Sequence, residues 1–379
     1  MIFDQVIGRR RRDAVGSCAK RMKTQRGVAL IIALILVALA AILATKLSFD
    51  SWLERRRAIG IIATDQAFQF GLGAEALAAA ALSQIGQTTG TTAGTQGANG
   101  QPAATQPNAG GTPTAVNGQS ANQVTLAQPW AQPTQPLPIT APDDPEGEPI
   151  GTLQGAIEDM SGRFNLNNLA HVIVGPNNQP VQDPFPLAQF QRLLASVGLE
   201  PKWAGIARDW IDPDDQPGEP DGAEDAVYTA QTPPYRTGNW PMLSPTELMN
   251  MPGFGADRYR KIAPYVTALP TATAQINICT APGVVLESLA DNLNGEYSRS
   301  PEVLANGRQT GCFPDKATFA NVLGSKQAQT LAGRYTDTSQ YFRLTTRVTL
   351  GTTEFTLYSL LWQSPAGKVT PLLRTFGTI

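Results

Sequence analysis

Residues 28–44, VALIIALILVALAAILA, form an unbroken run of 17 apolar residues. No other feature restricts the fold as much, because a run of this kind reads first as a helix across a bilayer. As a helix it spans about 25 Å, slightly short of a ~30 Å hydrocarbon core, and Leu47 and Phe49 extend it. Residues 1–27 carry Arg9, Arg10, Arg11, Arg12, Lys20, Arg21, Lys23 and Arg26 against Asp4 and Asp13, a net of +6. The whole chain stands at −2, so everything after Gly27 carries −8. Basic residues ahead of an apolar helix hold that end in the cytoplasm, and the acidic body is expected on the far side of the membrane. An acidic body argues against nucleic acid as its partner.

The run is too long for the apolar region of a cleaved signal peptide, and no small-x-small site with a polar flank closes it. Helical character continues from Trp52 to Leu82, past Glu54, Arg55, Arg56 and Arg57 into the amphipathic AFQFGLGAEALAAAALSQI. One helix of roughly 55 residues, ~80 Å long, is expected, its first half in the membrane and its second half outside. A basic leader ending in Gly27, then such a helix, resembles the class III signal of type IV pilins and pseudopilins. The resemblance implies cleavage by a prepilin peptidase between Gly27 and Val28, with methylation after it and the helix retained. That family usually has Phe or Met first and Glu fifth in the mature chain. Here Val28 is first and Ile32 fifth. A carboxylate within a membrane helix is costly unless paired; in pilins it neutralises the terminal amine of a neighbouring subunit. A subunit without it fits the top of a filament, and the pattern resembles the large K-type minor pseudopilins of type II secretion.

From Gly86 to about Pro142 the sequence is rich in Gln, Thr, Gly, Ala, Asn and Pro and has no charged residue. It offers too little apolar surface to offset chain entropy and is expected to be a disordered connection. After it, IGTLQGAIEDMSGRFNLNNL suggests two short strands and a polar turn, with Leu153, Ile157 and Met160 in the core and Asn165, Asn167 and Asn168 in the turn. SGRFNLNNL is similar to a signature of K-type pseudopilins. PLAQFQRLLASVGL has helical spacing with Gly198 as its stop, and PKWAGIARDWI suggests a second helix.

Eight acids then fall within 17 residues: Asp209, Asp212, Asp214, Asp215, Glu219, Asp221, Glu224 and Asp225, broken by Pro and Gly. Loops of this kind gather hard oxygens and suit Ca²⁺, although the spacing is not that of an EF-hand and a solvated acidic turn is the other reading. DWIDPD, GAEDAVY and PPYRTGNWPMLSPTEL resemble the centre of the K-type family, whose helical domain binds calcium. The resemblance implies Asp212, Asp214, Glu224 and Asp225 as ligands in a structural site. The aromatics Trp203, Trp210, Tyr228, Tyr235 and Trp240 are expected in the core of this domain.

Ser244 with Glu247 forms a capping box, and MPGFG suggests a hairpin between two helices. With INICTAPGVVLESLA it resembles a helix-hairpin-helix unit. A membrane-tethered DNA-binding protein is therefore one alternative, opposed by the acidic body and by the absence of Lys or Arg between Ile276 and Asn294. A minor pilin of a type IV pilus is another. Cys279 and Cys312, in an exported body, suggest a disulfide closing about 34 residues, for roughly 3–4 kcal/mol; a pair of buried thiols is the other reading. QYFRLTTRVTLG, TEFTLYSLLWQS and KVTPLLRTFG alternate at period two around turns at 351–353 and 365–367, an antiparallel meander. His171 has no nucleophile pattern beside it, and CxxC and HExxH do not occur, so no enzyme is expected.

These readings join as an α+β fold, a pilin-like long N-terminal helix packed on an antiparallel sheet with a large inserted helical domain. The expected order is leader 1–27, transmembrane and amphipathic helix 28–85, linker 86–149, first part of the pilin-like domain 150–182, inserted domain 183–310 and terminal sheet 311–379. The resemblance implies a single-pass protein of the bacterial inner membrane with a cytoplasmic N-terminus and a periplasmic body, sitting at the pseudopilus tip. The partners it implies are minor pseudopilins of I, J and H types, the major pseudopilin, the prepilin peptidase, the assembly platform and secreted substrate, and no nucleic acid.

Overall fold

The computed structural model describes residues 26–85 and 122–376, apart from 142, 145 and 176. Most of the leader, Cys18 included, and the low-complexity stretch 86–121 lie outside the described residues. One helix, Arg26–Ser83, takes 58 residues. No proline interrupts it, and its Ala, Leu and Arg content favours the helix throughout. From Leu30 to Ile62 its large apolar side chains are exposed apart from the half-buried Leu53, Leu30 at 63% and Val37 at 66%.

From residue 63 on, the helix belongs to a second unit that contains the rest of the chain. Ala67, Phe70, Gly71, Ala74, Ala78 and Leu82 repeat every three or four residues and face a sheet. Small residues allow the close approach: a Cβ on Gly71 would stand 3.1 Å from Leu357 Cδ2. Glu75 lies in the same stripe, accepting from Arg374 at 2.7 and 2.8 Å and from Ser359 Oγ at 2.9 Å.

The sheet has five antiparallel strands in the order Leu137–Ile139, Gly151–Asp159, Tyr341–Leu350, Thr353–Gln363, Val369–Thr375. The last three form the meander that the period-two pattern indicates, with Gly351 (φ 54°) and Gly367 (φ 81°) in the turns. The edge strand carries Pro371 at a bulge opposite Leu361, where a missing N–H is tolerated. Three expectations need correction. Residues 151–159 make one long strand in place of two short ones. Residues 122–141 are ordered: Val124 and Trp130 are buried against Phe342, and Leu137–Ile139 joins the sheet. Three buried apolar residues, Val124, Trp130 and Ile139, are joined there by Gln128, which serves three partners, Thr125 N, Trp130 Nε1 and Gln123 O.

The third correction concerns the inserted domain. Its core runs from Phe164, Leu166 and Leu169 to Phe319, Leu323 and Leu331, so it fills the excursion between Asp159 and Ser339, not 183–310. Composition hid these ends because they fold as very short elements, 160–170 as one-turn helices around a two-residue strand. Both ends are tied to one buried carboxylate. Asp159 accepts from Ser161 N (2.8 Å), Asn277 Nδ2 (3.0 Å), Thr280 Oγ1 (2.6 Å) and Ser339 Oγ (2.6 Å). Burial pushes its carboxyl up, and these donors pull it back. Removing the acceptor leaves several buried donors unpaired. Asp159→Ala is expected to lower the unfolding free energy by about 3 kcal/mol in urea titrations. Asp257→Ala, an exposed pair with Arg260, should leave the midpoint unchanged.

Candidate functional site

The acidic loop follows the helix Trp203–Ile211. That helix turns Trp203, Ala207, Trp210 and Ile211 into the inserted core and places Asp209 at its end, fully buried. Asp209 Oδ2 accepts from Gly218 N at 2.8 Å and Ala223 N at 2.9 Å, so the loop winds around this carboxylate. Gly222 packs against Asp209 Oδ2 and Gly218 N so closely that a Cβ would collide with both. Burial raises the Asp209 carboxyl, and the Gly218 amide and Arg208 oppose the rise.

Winding brings Asp212, Asp214 and Glu224 together, with one carboxylate oxygen of each within 4.8 Å of the others. Asp212 and Glu224 are buried and Asp214 is exposed. Gln182 Nε2 donates to Asp212 Oδ2 at 3.2 Å. Asp212 Oδ1 and both Glu224 oxygens have no hydrogen-bond donor among the described residues. Burial pushes Asp212 up to about 6, with Gln182 pulling it back and Asp209 and Asp214 adding to the rise. Burial pushes Glu224 up to about 7, reinforced by Asp209, Asp212, Asp214 and Asp215. Three converging hard oxygen donors, two of them desolvated, have the chemistry of a divalent-cation site.

Asp225 is a correction. It does not join the group, because Thr237 N (3.1 Å) and Thr237 Oγ1 (2.9 Å) hold its Oδ1 and Arg236 lies 3.3 Å from its Oδ2. Sequence reasoning counted Asp209 among the acids of the loop without giving it a role, and passed over Gln182 and Asn239. Asn239 has a left-handed backbone (φ 43°) and donates to Asp214 O at 3.4 Å and Asp215 Oδ1 at 3.1 Å. Asp209 was visible as the first acid of DWIDPD, and the amides gave no signal. Trp203, Trp210 and Tyr228 are core, while Trp240 is 71% exposed and is not.

Elsewhere, Cys279 and Cys312 are joined in a disulfide. His171 Nδ1 lies 2.8 Å from Asp183 Oδ2, which also meets Arg334 at 2.6 Å. At the MPGFG hairpin Arg258 donates to Gly253 O and Phe254 O, and Arg260 pairs with Asp257.

A carboxyl whose folded value exceeds its unfolded one favours the fold while protonated and opposes it once ionised. For Glu224 the loss falls between its ordinary 4.5 and about 7. In EDTA, Glu224→Gln is therefore expected to match the unsubstituted protein near pH 4.5 and to exceed it by about 2 kcal/mol at pH 8 in urea unfolding.

Comparison with known proteins bears on the whole chain. A family model described as type II secretion system (T2SS), protein K, matches residues 162–271, the stretch that holds the acidic loop. Type II secretion system protein K of Klebsiella pneumoniae is 31% identical over 363 residues, covering 94% of this chain and 95% of that protein. Protein K of Pseudomonas aeruginosa is 30% identical over 359 residues, covering 93% of each. A solved structure of the GspK-GspI-GspJ complex from the enterotoxigenic Escherichia coli type 2 secretion system matches with a TM-score of 0.64 at 23% identity, over 85% of this chain and 100% of that chain. At that identity the likeness is one of fold. The helix, sheet and inserted domain agree with it, and the identities across nearly the full length establish that the chain belongs to the type II secretion system protein K family.

Proposed function

We propose that the protein is a minor pseudopilin that sits at the tip of the type II secretion pseudopilus. There it caps the filament with other minor pseudopilins and helps to start assembly for protein secretion across the outer membrane. The observation that carries this is the pairing of Ile32, where related subunits carry a carboxylate, with the large domain inserted between Asp159 and Ser339. A subunit placed above would lack its charge partner and meet a bulky body. Partners of I and J types follow from the complex just described; an H-type subunit, the major pseudopilin, the assembly platform and secreted substrate follow from the family role. The apolar run anchors the chain in the inner membrane, N-terminus in the cytoplasm and body in the periplasm, and a prepilin peptidase cuts between Gly27 and Val28. The role is structural, not catalytic.

The same reading places Ca²⁺ at Asp212, Asp214 and Glu224, where it would neutralise converging carboxylates and close the loop. The orphaned oxygens of Asp212 and Glu224 support it. At a hundredfold excess over its dissociation constant, Ca²⁺ is expected to stabilise the body by about 2.7 kcal/mol. Asp212→Asn should abolish that gain in calorimetry; an unchanged gain removes this site.

The tip reading has two tests. Mass and N-terminal sequence of the membrane-extracted protein should show Val28 first only when the peptidase is present. Ile32→Glu should move subunits from the tip into the filament shaft, scored by immunogold labelling. An intact leader ends the pseudopilin reading, whereas tip-only labelling of Ile32→Glu leaves the missing carboxylate without a part in the placement.

A further inference from the structure

We propose that Arg55, Arg56 and Arg57, with Trp52, form a collar that binds the headgroups of anionic phospholipids on the side of the membrane where the body emerges. The proposal rests on the reading of residues 28–47 as a membrane span with an exported body. Three consecutive arginines then stand on the exported side, where the orientation rule for flanking charges does not call for them. They are not absorbed by structure either. All three are exposed, and no ion pair among the described residues engages any of them, even with Glu54 adjacent.

Their position along the helix suits the headgroup layer. A hydrocarbon core of ~30 Å takes about twenty residues, from Val28 to Leu47. Arg55 lies about 12 Å further along the helix axis. Helical side chains lean toward the N-terminus, here back toward the membrane, and long basic side chains reach further that way. Arg56 shows this lean: its guanidinium carbon sits 4.6 Å from the centre of the Trp52 ring, one turn closer to the apolar run. Trp52 also meets Phe49, ring centres 6.1 Å apart, and the two are 50% and 60% exposed. Two aromatics at this level occupy the interfacial belt.

The chemistry of the three arginines points to phosphate. A guanidinium offers forked donors that match two phosphate oxygens and keeps its charge at any physiological pH. Successive residues are rotated by about 100°, so the three side chains fan over roughly 200° of the helix and address lipids on several sides. Between Lys46 and Arg57 four bases face Asp50 and Glu54, so the segment remains net positive. A zwitterionic headgroup brings its own cation beside the phosphate and gains less. Such a collar would fix the depth of the helix before a filament takes it up.

The test uses the full chain in phosphatidylcholine vesicles with trace spin-labelled phosphatidylglycerol or spin-labelled phosphatidylcholine. The motionally restricted fraction reports which lipid sits against the helix. Phosphatidylglycerol is expected to be favoured by about threefold, from attraction of basic residues to an anionic headgroup. R55Q/R56Q/R57Q should lose most of that preference, and R55K/R56K/R57K should keep most of it. The leader's basic residues are the same in all three proteins, so a difference belongs to the collar. Equal preference in the Gln variant and the unsubstituted protein overturns the proposal. Failure of the chain to float with vesicles after an alkaline wash overturns the membrane-span reading as well, and so separates the two failures.

Discussion

The Asp159 carboxylate is the point on which the two halves of the body depend. The pilin-like sheet needs the strand Gly151–Asp159 beside Tyr341–Leu350, and about 180 residues of chain separate them. A pairing that far apart in sequence is costly to close, and nothing in the strand pair itself fixes where the excursion begins and ends. Asp159 does so. It ends the first strand, and it accepts from Asn277 and Thr280 of the inserted domain and from Ser339 at the return. Asn277 extends the tie to Val124 O, the segment that re-enters after the low-complexity stretch. One buried carboxyl, served by four donors, therefore registers the sheet, the insert and the returning chain against one another.

How much of this was legible in the sequence follows from the range of the forces involved. The long helix and the terminal meander were legible, because periods of 3.6 and 2 are local properties. So was the Ser244–Glu247 box, found with both of its hydrogen bonds at the start of the short 3-10 helix Pro245–Asn250. The ends of the inserted domain were not. Asn165, Asn167 and Asn168 looked like a turn, yet they are buried and bind Met242, Leu269, Thr271 and Ala274, about 75 to 106 residues away. An asparagine carries the same propensity whether it caps a surface turn or ties distant loops. Trp130 was lost in the same way: its neighbours are low in complexity, and contacts absent from the local sequence order them, among them its own with Phe342, ring centres 5.4 Å apart.

The candidate cation site divides along the same line. Composition located the loop, and resemblance named four acids, Asp212, Asp214, Glu224 and Asp225, of which the first three meet. It could not separate Glu224 from Asp225, adjacent residues of nearly equal chemistry. The fold separates them: the backbone turns Glu224 inward toward Asp212, and Thr237 claims Asp225. Nor did composition show that the deepest acid, Asp209, holds backbone amides and shapes the loop that carries the others.

Polar satisfaction within the inserted domain gives the site its weight. Arg308 is buried among apolar neighbours, and burial lowers it to about 10, yet it donates to Phe313 O, Ile278 O and Ala281 O. Asn165 and Asn167 are each held by backbone groups on both sides of the amide. Most buried polar groups in folded proteins are partnered in this way, although the Tyr228 and Tyr297 hydroxyls and Arg208 Nε have no partner among the described residues. Glu224 differs from these in having both carboxylate oxygens unpartnered and other acids around it. An uncompensated carboxylate in such surroundings costs stability unless a charge arrives from outside. A divalent cation at Asp212, Asp214 and Glu224, as proposed above, would supply the charge that these oxygens lack.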